Sequence, residues 1–258
     1  MKRIKLVVRN DKPSATGLAE RFAALLAERD VTTDDGPEDA VVAIGGDGTV
    51  LEAASIAMRA GIPICGVNVG RVGSLAEFAE SESTDLADAI SSDTFRTRRH
   101  NTVSVVVVSH DASAINDVVV EKVISQRIIE IAVEVDGRAL ATYRTDGMIV
   151  ASSLGSTAYS LSAGGPIVDP RLEALILTPI APHSLLTRSV VLAPDAVVTL
   201  NIVGDRPARI NVDGRELCAV APEDAITIRR GATTVEFLTL DRHPFPQAVR
   251  EHFGLDHA

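Results

Sequence analysis

Three glycines surround one carboxylate in the segment Val41–Thr49, Val-Val-Ala-Ile-Gly-Gly-Asp-Gly-Thr, and this constrains the chain more than any other stretch. A short apolar run that ends in glycine and passes into a helical pattern is a strand-turn-helix unit, and such units bury their apolar faces in layered α/β arrangements. Gly45, Gly46 and Gly48 carry no Cβ, so the turn is expected to adopt backbone angles closed to other residues and to let a ligand reach the main chain beside Asp47. From Thr49 the apolar residues Leu51, Ala54, Ile56 and Met58 continue as a helix whose first N–H groups can face an anion. Phosphate next to a carboxylate points to phosphoryl transfer. Asp47 would accept the proton of an attacking hydroxyl, and Gly45, Gly46, Gly48 and Thr49 would form the loop for the phosphate donor. The bland alternative is a glycine-rich connection with a capping Asp.

The same punctuation runs through the first hundred residues: Ile4–Val8, Ala15–Glu28, Val41–Ile44, Val50–Arg59, Ile62–Val67 and later Leu86–Ile90. Strand-like and helix-like segments alternate, which predicts a parallel sheet flanked by helices with ligand groups at the carboxyl ends of its strands. After about Thr102 the texture changes to Val- and Ile-rich runs at Val103–Val108, Val118–Val120, Ile128–Val135, Met148–Ala151, Val190–Leu192, Val197–Ile202, Ala225–Ile228 and Val235–Leu238. Asp136-Gly137 and Asp213-Gly214 are natural two-residue hairpin turns between them. The expected fold is α/β plus all-β. An α/β domain covers residues 1–99, a mainly antiparallel β-rich domain residues 100–242, and a tail with a helix at Gln247–Phe253 residues 243–258.

A length of 258 residues at 46% hydrophobic composition is ample for a buried core. The formal charge of −10, with lysine only at positions 2, 5, 12 and 122, argues against nonspecific nucleic-acid or membrane-surface binding, so local arginines must meet any anionic ligand. Cys65 and Cys218 are isolated, and the histidines show no ligand-set spacing, so neither a disulfide framework nor a dedicated metal site is indicated. Magnesium would arrive with a nucleotide. Met1–Asn10 does not read as a leader and no run is long enough to span a bilayer, which gives a cytoplasmic expectation. No GxxxxGK[ST] loop is present, which excludes a P-loop kinase, and no GxGxxG with a downstream acid, which disfavours hydride transfer.

A second informative stretch, Thr145–Asp169, reads as a strand, a set of small hydroxyl residues and a short helix closed by two glycines. Ser156 and Thr157 are positioned to cap that helix, while Tyr159 and Ser162 share one face and could hold a flat base by stacking and hydrogen bonding. A plain capped helix is the alternative.

Together the two segments resemble the NAD kinase family, and four more blocks agree in order. Gly66-Val67-Asn68-Val69-Gly70-Arg71-Val72-Gly73 resembles its second glycine loop, and Ala114-Ile115-Asn116-Asp117 its Asn-Glu block. Pro179-Ile180-Ala181-Pro182-His183-Ser184 and Val212-Asp213-Gly214 resemble its later signatures. The resemblance implies an N-terminal α/β domain followed by an all-β domain, and transfer of a phosphoryl group from ATP or polyphosphate, with Mg²⁺ or another divalent metal, to the 2′-hydroxyl of the adenosine ribose of NAD. By that resemblance Asp47 is the base, with Gly48 beside the substrate. Asn116 and Asp117 bind adenine and ribose hydroxyls; Thr157, Ala158, Tyr159 and Ser162 line the dinucleotide pocket; Asp146 meets the nicotinamide end and Ala181 closes a wall. Arg127 and Arg144 are pyrophosphate partners, or else solvated strand-edge charges. A homodimer or homotetramer is implied, with neither nucleic acid nor membrane as partner.

Several residues depart from the family pattern. Ser152-Ser153-Leu154 stands where Thr-Pro-Thr is common, Ser74 where Phe is usual, Glu52 where a basic residue is frequent, and Arg215 where Gln follows Asp-Gly. Two other readings compete: a diacylglycerol- or sphingosine-type lipid kinase, which shares the Gly-Gly-Asp-Gly-Thr motif, and a dinucleotide sensor without turnover. Asn116-Asp117 and the Thr157–Ser162 segment discriminate against the first, and Asp47 against the second.

Overall fold

The computed structural model describes residues 1–9, 11–70, 75–242 and 244–255. The chain divides into two compact units, one of residues 1–99 together with 235 onward, the other of residues 100–234.

The first unit opens with β1 (Ile4–Val8), α1 (Pro13–Ala27), β2 (Ala40–Gly45), α2 (Asp47–Ala60), β3 (Ile64–Asn68), β4 (Phe78–Ala79) and α3 (Ser83–Ser92). β1, β2 and β3 pair in parallel, with Ile4 opposite Ala40 and Val41 opposite Ile64. β2 is buried along its whole length, as a parallel strand covered on both faces must be. Ile4, Leu18, Phe22, Leu26, Val42, Ile44, Leu86 and Ile90 form its core, drawn from strands and helices alike. α2 ends where Gly61 turns left-handed at φ 67°.

The second unit takes in most of β5 (Arg96–Val107), then β6 (His110–Ala114), β7 (Asp117–Lys122), β8 (Ile129–Val135), β9 (Arg138–Thr145), β10 (Gly147–Ser152), the short helix α4 (Tyr159–Ser162), β11 (Leu175–Ile180), β12 (Val190–Leu192), β13 (Val197–Val203), β14 (Ala208–Val212) and β15 (Arg215–Val220). The long β16 (Ile226–Thr239) pairs β13 through residues 226–229 within this unit, and β3 through Phe237 within the first. The helix α5 (Phe245–Phe253) closes the described chain.

One antiparallel sheet of the second unit runs β12-β11-β10-β7-β14-β15, while β13, β8 and β9 pair antiparallel in another. Alternate residues from both, among them Val118, Val120, Met148, Val150, Ile131, Val133 and Leu200, form its main core. The architecture is the α/β plus antiparallel-β fold expected from the sequence. β4, β6 and β11 are additions to the sequence reading, β9, β14 and β15 are marked in the sequence only by the Asp-Gly turns beside them, and the two segments at Ala225–Ile228 and Val235–Leu238 are one continuous strand. No described helix is long and apolar enough to cross a membrane.

Candidate functional site

In the first unit, β2 ends at Gly45 and α2 begins two residues later, with Gly46 as its N-cap in extended conformation (φ −102°, ψ −173°). The helix thus starts at Asp47, two residues before the expected Thr49, and Asp47 lies in its first turn. Asp47 does not cap the helix; its Oδ1 accepts the N–H of Leu75 at 3.2 Å. The three glycines also act differently from expectation, because none of them has a positive φ. A Cβ on Gly45 would lie 2.3 Å from Thr49 Oγ1, so Gly45 permits close packing of strand on helix, whereas a Cβ on Gly46 or Gly48 would meet nothing within 4 Å. Open space thus borders the two glycines flanking Asp47 at the amino end of a 14-residue helix, where N–H groups and the helix dipole favour an anion.

Asn68, at the end of β3, is paired in register with Gly45 and buried, and its Nδ2 has no hydrogen-bond partner. An unmet buried donor costs about 1–3 kcal/mol, a cost that a ligand oxygen would remove. Arg71, Val72 and Gly73 of the second glycine loop, and the departure at Ser74, lie outside the described residues. Glu52 is exposed on α2, five positions from Asp47 and so on a different face of the helix.

In the second unit, β6 and β7 are joined by a bend at Ile115-Asn116. Asn116 is 8% and Asp117 5% exposed, and Asn116 Oδ1 is buried without a hydrogen-bond partner. Asp117 and Glu121 lie on the same face of β7, and Asn211 and Arg209 on the adjoining β14 point to it. Glu121 Oε1 accepts from Arg209 Nε at 2.8 Å and Asn211 Nδ2 at 2.9 Å. On the same sheet Val119, Ile149, Ala151 and Ile176 form a small apolar cluster with Val168, against which Ala163 and Ile180 pack.

Tyr159, 42% exposed, begins α4. Its phenol is held above the usual range by burial first, with the charges of Glu121, Asp117 and Asp146 adding to it. Asp146 Oδ1 accepts from Lys122 Nζ at 2.5 Å. Burial, with the charge of Asp213 adding to it, pushes Asp117 up to about 7. Asp213 is also raised by burial, but it accepts three backbone N–H groups that favour its charge, so of the two Asp117 is the readier to hold a proton.

The hydroxyl-rich stretch has a different origin from the expected helix caps. Ser156 is fully buried and bonds the backbone N–H of Val168 at 3.2 Å, and α4 has no side-chain cap. Ser152 donates to the carbonyl of Ile115 at 2.7 Å, Ser153 accepts from Ala174 N–H at 3.0 Å, and Ser160 bonds Thr178 at 2.9 Å. Ser152, Ser153 and Ser156 thus satisfy backbone groups around the short turns that follow β10, while Ser160 pairs side chain to side chain with Thr178 on β11. Thr157, Ala158 and the exposed Ser162 stay accessible beside Tyr159.

Arg144 is exposed on β9, 3.5 Å from Glu130, and its N–H donates to Ser184 Oγ at 2.8 Å. Arg127 is exposed in the loop between β7 and β8, and Ala181 follows β11 with a left-handed φ of 44°. Sequence reasoning passed over Glu121, Asn211 and Asn68. The first could have been found from its two-residue alternation with Asp117 along one strand. Cys65 and Cys218 are free thiols, the former pushed up to about 12 and the latter also raised, both by burial foremost, which disfavours the thiolate form of each near neutral pH.

A family model described as the ATP-NAD kinase N-terminal domain matches residues 31–95, and one for the ATP-NAD kinase C-terminal domain matches residues 115–240. The NAD kinase of Heliobacterium modesticaldum is 34% identical over 277 residues, covering 97% of this chain and 98% of its own. That of a Polaromonas species is 37% identical over 238 residues, with 90% and 80% covered. Among solved structures, an NAD kinase from Archaeoglobus fulgidus in complex with ATP is similar at a TM-score of 0.79 and 28% identity, covering 98% of this chain and 97% of that one. A yeast NADH kinase complexed with NADH shares the fold at a TM-score of 0.89 and 21% identity, with 100% and 89% covered. With both domain models matched in order and such relatives over nearly its whole length, the chain belongs to the NAD kinase family.

Proposed function

We propose that this chain transfers a phosphoryl group from ATP to the 2′-hydroxyl of the adenosine ribose of NAD, giving NADP, with Asp47 as general base. The observation that carries this reading is the open space at Gly46 and Gly48 on either side of Asp47, at a helix amino end. A carboxylate there can take the hydroxyl proton while N–H groups and Asn68 Nδ2 meet phosphate oxygens. Asn116 Oδ1, an acceptor without a donor, suits the amino group of adenine, and the Asp117 carboxyl suits ribose hydroxyls. Tyr159 offers a face for stacking, with Thr157, Ala158 and Ser162 beside it; Asp146 takes the nicotinamide end and Ala181 a wall. Arg144 and Arg127 are exposed cations available to the pyrophosphate.

Mg²⁺ is read as part of the substrate, carried on the donor phosphates. Inorganic polyphosphate is the alternative donor. A homo-oligomer, homodimer or homotetramer, is the assembly that the family resemblance implies. The free thiols suit the cytoplasm.

Asp47→Asn tests the assignment. The amide keeps the shape and cannot accept the proton, so kcat should fall on the order of 10²–10⁴-fold with NAD binding nearly unchanged. Near-normal turnover would remove Asp47 from the role of base.

A further inference from the structure

Asp213-Gly214 forms the hairpin turn between β14 and β15, with φ of 48° and 76°. Asp136-Gly137 makes the same kind of turn between β8 and β9, at 53° and 71°. The two aspartate side chains differ in what they hold. Asp136 Oδ1 accepts one N–H, from Val197 at 2.9 Å. The Asp213 carboxylate instead reaches the bend between β6 and β7, where Oδ2 accepts from Ile115 N–H at 2.7 Å and Oδ1 from Asn116 and Asp117 N–H at 2.7 and 3.2 Å. Its own N–H donates to the carbonyl of Asp117 at 3.0 Å.

β10 holds the same bend. Ser152 Oγ donates to the Ile115 carbonyl at 2.7 Å, and Ser152 N–H to the Asn116 carbonyl at 2.8 Å. A Cβ at Gly155 would lie only 2.1 Å from the Asn116 carbonyl oxygen, so the backbone is confined there as well. A two-residue turn needs no half-buried charge, and a carboxylate drawn partly out of water is costly unless its hydrogen bonds are met. Three converging N–H groups meet them, and they belong to the residues that carry Asn116 and Asp117.

We propose that Asp213 is a positioning residue for NAD: it fixes the backbone from which Asn116 and Asp117 project, and acts on the dinucleotide only through them. This rests on the reading that Asn116 and Asp117 bind NAD. Because those contacts exist in ground and transition states alike, the clamp appears in the NAD KM and not in kcat.

The test is steady-state kinetics of the full chain with NAD, ATP and Mg²⁺, with thermal denaturation alongside, on four variants. Asp213→Asn keeps a residue suited to the turn but turns one acceptor oxygen into a donor facing N–H groups. Its NAD KM should rise about tenfold, the scale of one lost hydrogen bond to a charged group, with kcat and the ATP KM nearly unchanged. Asp136→Asn makes the same change in the other turn and should leave the NAD KM as it is. Ser152→Ala loosens the bend from β10 and should also raise the NAD KM; it decides the matter if Asp213→Asn does not fold. Asn116→Ala should raise the NAD KM and so checks the underlying reading separately. An unchanged NAD KM in a folded Asp213→Asn, or in Ser152→Ala where Asp213→Asn does not fold, with Asn116→Ala impaired, overturns the positioning role alone. An equal KM rise in Asp136→Asn reduces it to general stability and overturns it too. No effect of Asn116→Ala on NAD overturns the substrate reading and this proposal with it.

Discussion

Gly45 and Gly48 are three positions apart and are glycine for different reasons. Gly45 makes room for Thr49 Oγ1, whereas the space over Gly48 is empty. Gly45→Ala should therefore lower the melting temperature, since overpacking of this kind costs about 1–3 kcal/mol. Gly48→Ala, in the first turn of α2, should leave stability unchanged or raise it by up to about 1 kcal/mol through helix propensity, while raising the ATP KM as its methyl enters the donor's space. Thermal denaturation paired with ATP saturation curves separates the two, and an unaffected ATP KM in Gly48→Ala would place the donor phosphates elsewhere. The motif itself was plain in the sequence. Which glycine serves packing and which leaves room was not, because a missing Cβ looks the same in both uses until Thr49 is seen against Gly45. Asn68 and Asn116 show the same limit: their unpartnered amide atoms are visible only once every neighbour has been placed.

Elements were legible where burial is one-sided or complete, and lost where it is not. β2 and β7 are apolar runs with buried side chains, and the two Asp-Gly turns have positive φ at both residues, as their chemistry demands. β9 shows in the sequence only as the far side of the Asp136-Gly137 turn, because most of its side chains are exposed and Tyr143 and Thr145 are its buried residues. β11 contains Pro179, which argues against a strand, although it pairs opposite Met148. The β5–β6 turn is carried by Val108, at φ 49°, a residue type that gives no turn signal. On β7 the buried Asp117 predicts a pH effect. Its carboxyl, lifted to about 7 by burial first and Asp213 second, keeps a proton that the unfolded chain releases near pH 4. The folded state therefore binds more protons between about pH 4 and 7, and stability from this group is lost as pH rises through that window. Asp117→Asn has no such loss, so its melting temperature relative to the parent chain should climb from pH 4 to pH 8 while its NAD KM rises. A relative melting temperature that stays flat or falls would show that Asp117 is ionised throughout. Tyr159→Ala should likewise act on the NAD KM, because a stacking face serves ground and transition states alike.

At the scale of the whole chain, six motif blocks in order carried the family assignment, and the matched domain models and relatives agree with it. The Gly-Gly-Asp-Gly-Thr segment alone fits a lipid kinase equally well. On the proposed reading the second unit separates the two, since the buried polar Asn116 and Asp117 and the half-exposed ring of Tyr159 suit a nucleotide and do not suit an acyl chain. A sensor without turnover would have no use for an aspartate beside two open glycines. The formal charge of −10 means that neither substrate, itself an anion, is drawn in by the overall field, so specificity has to come from local donors such as the N-terminal N–H groups of α2. The most direct measurement is to incubate the purified chain with Mg²⁺ and ATP, or polyphosphate, in the presence of NAD or of diacylglycerol or sphingosine, and to identify the phosphorylated product. The account predicts NADP, phosphorylated at the adenosine-ribose 2′ position, and no lipid phosphate; a phosphorylated lipid, or no NADP with either donor, would contradict it.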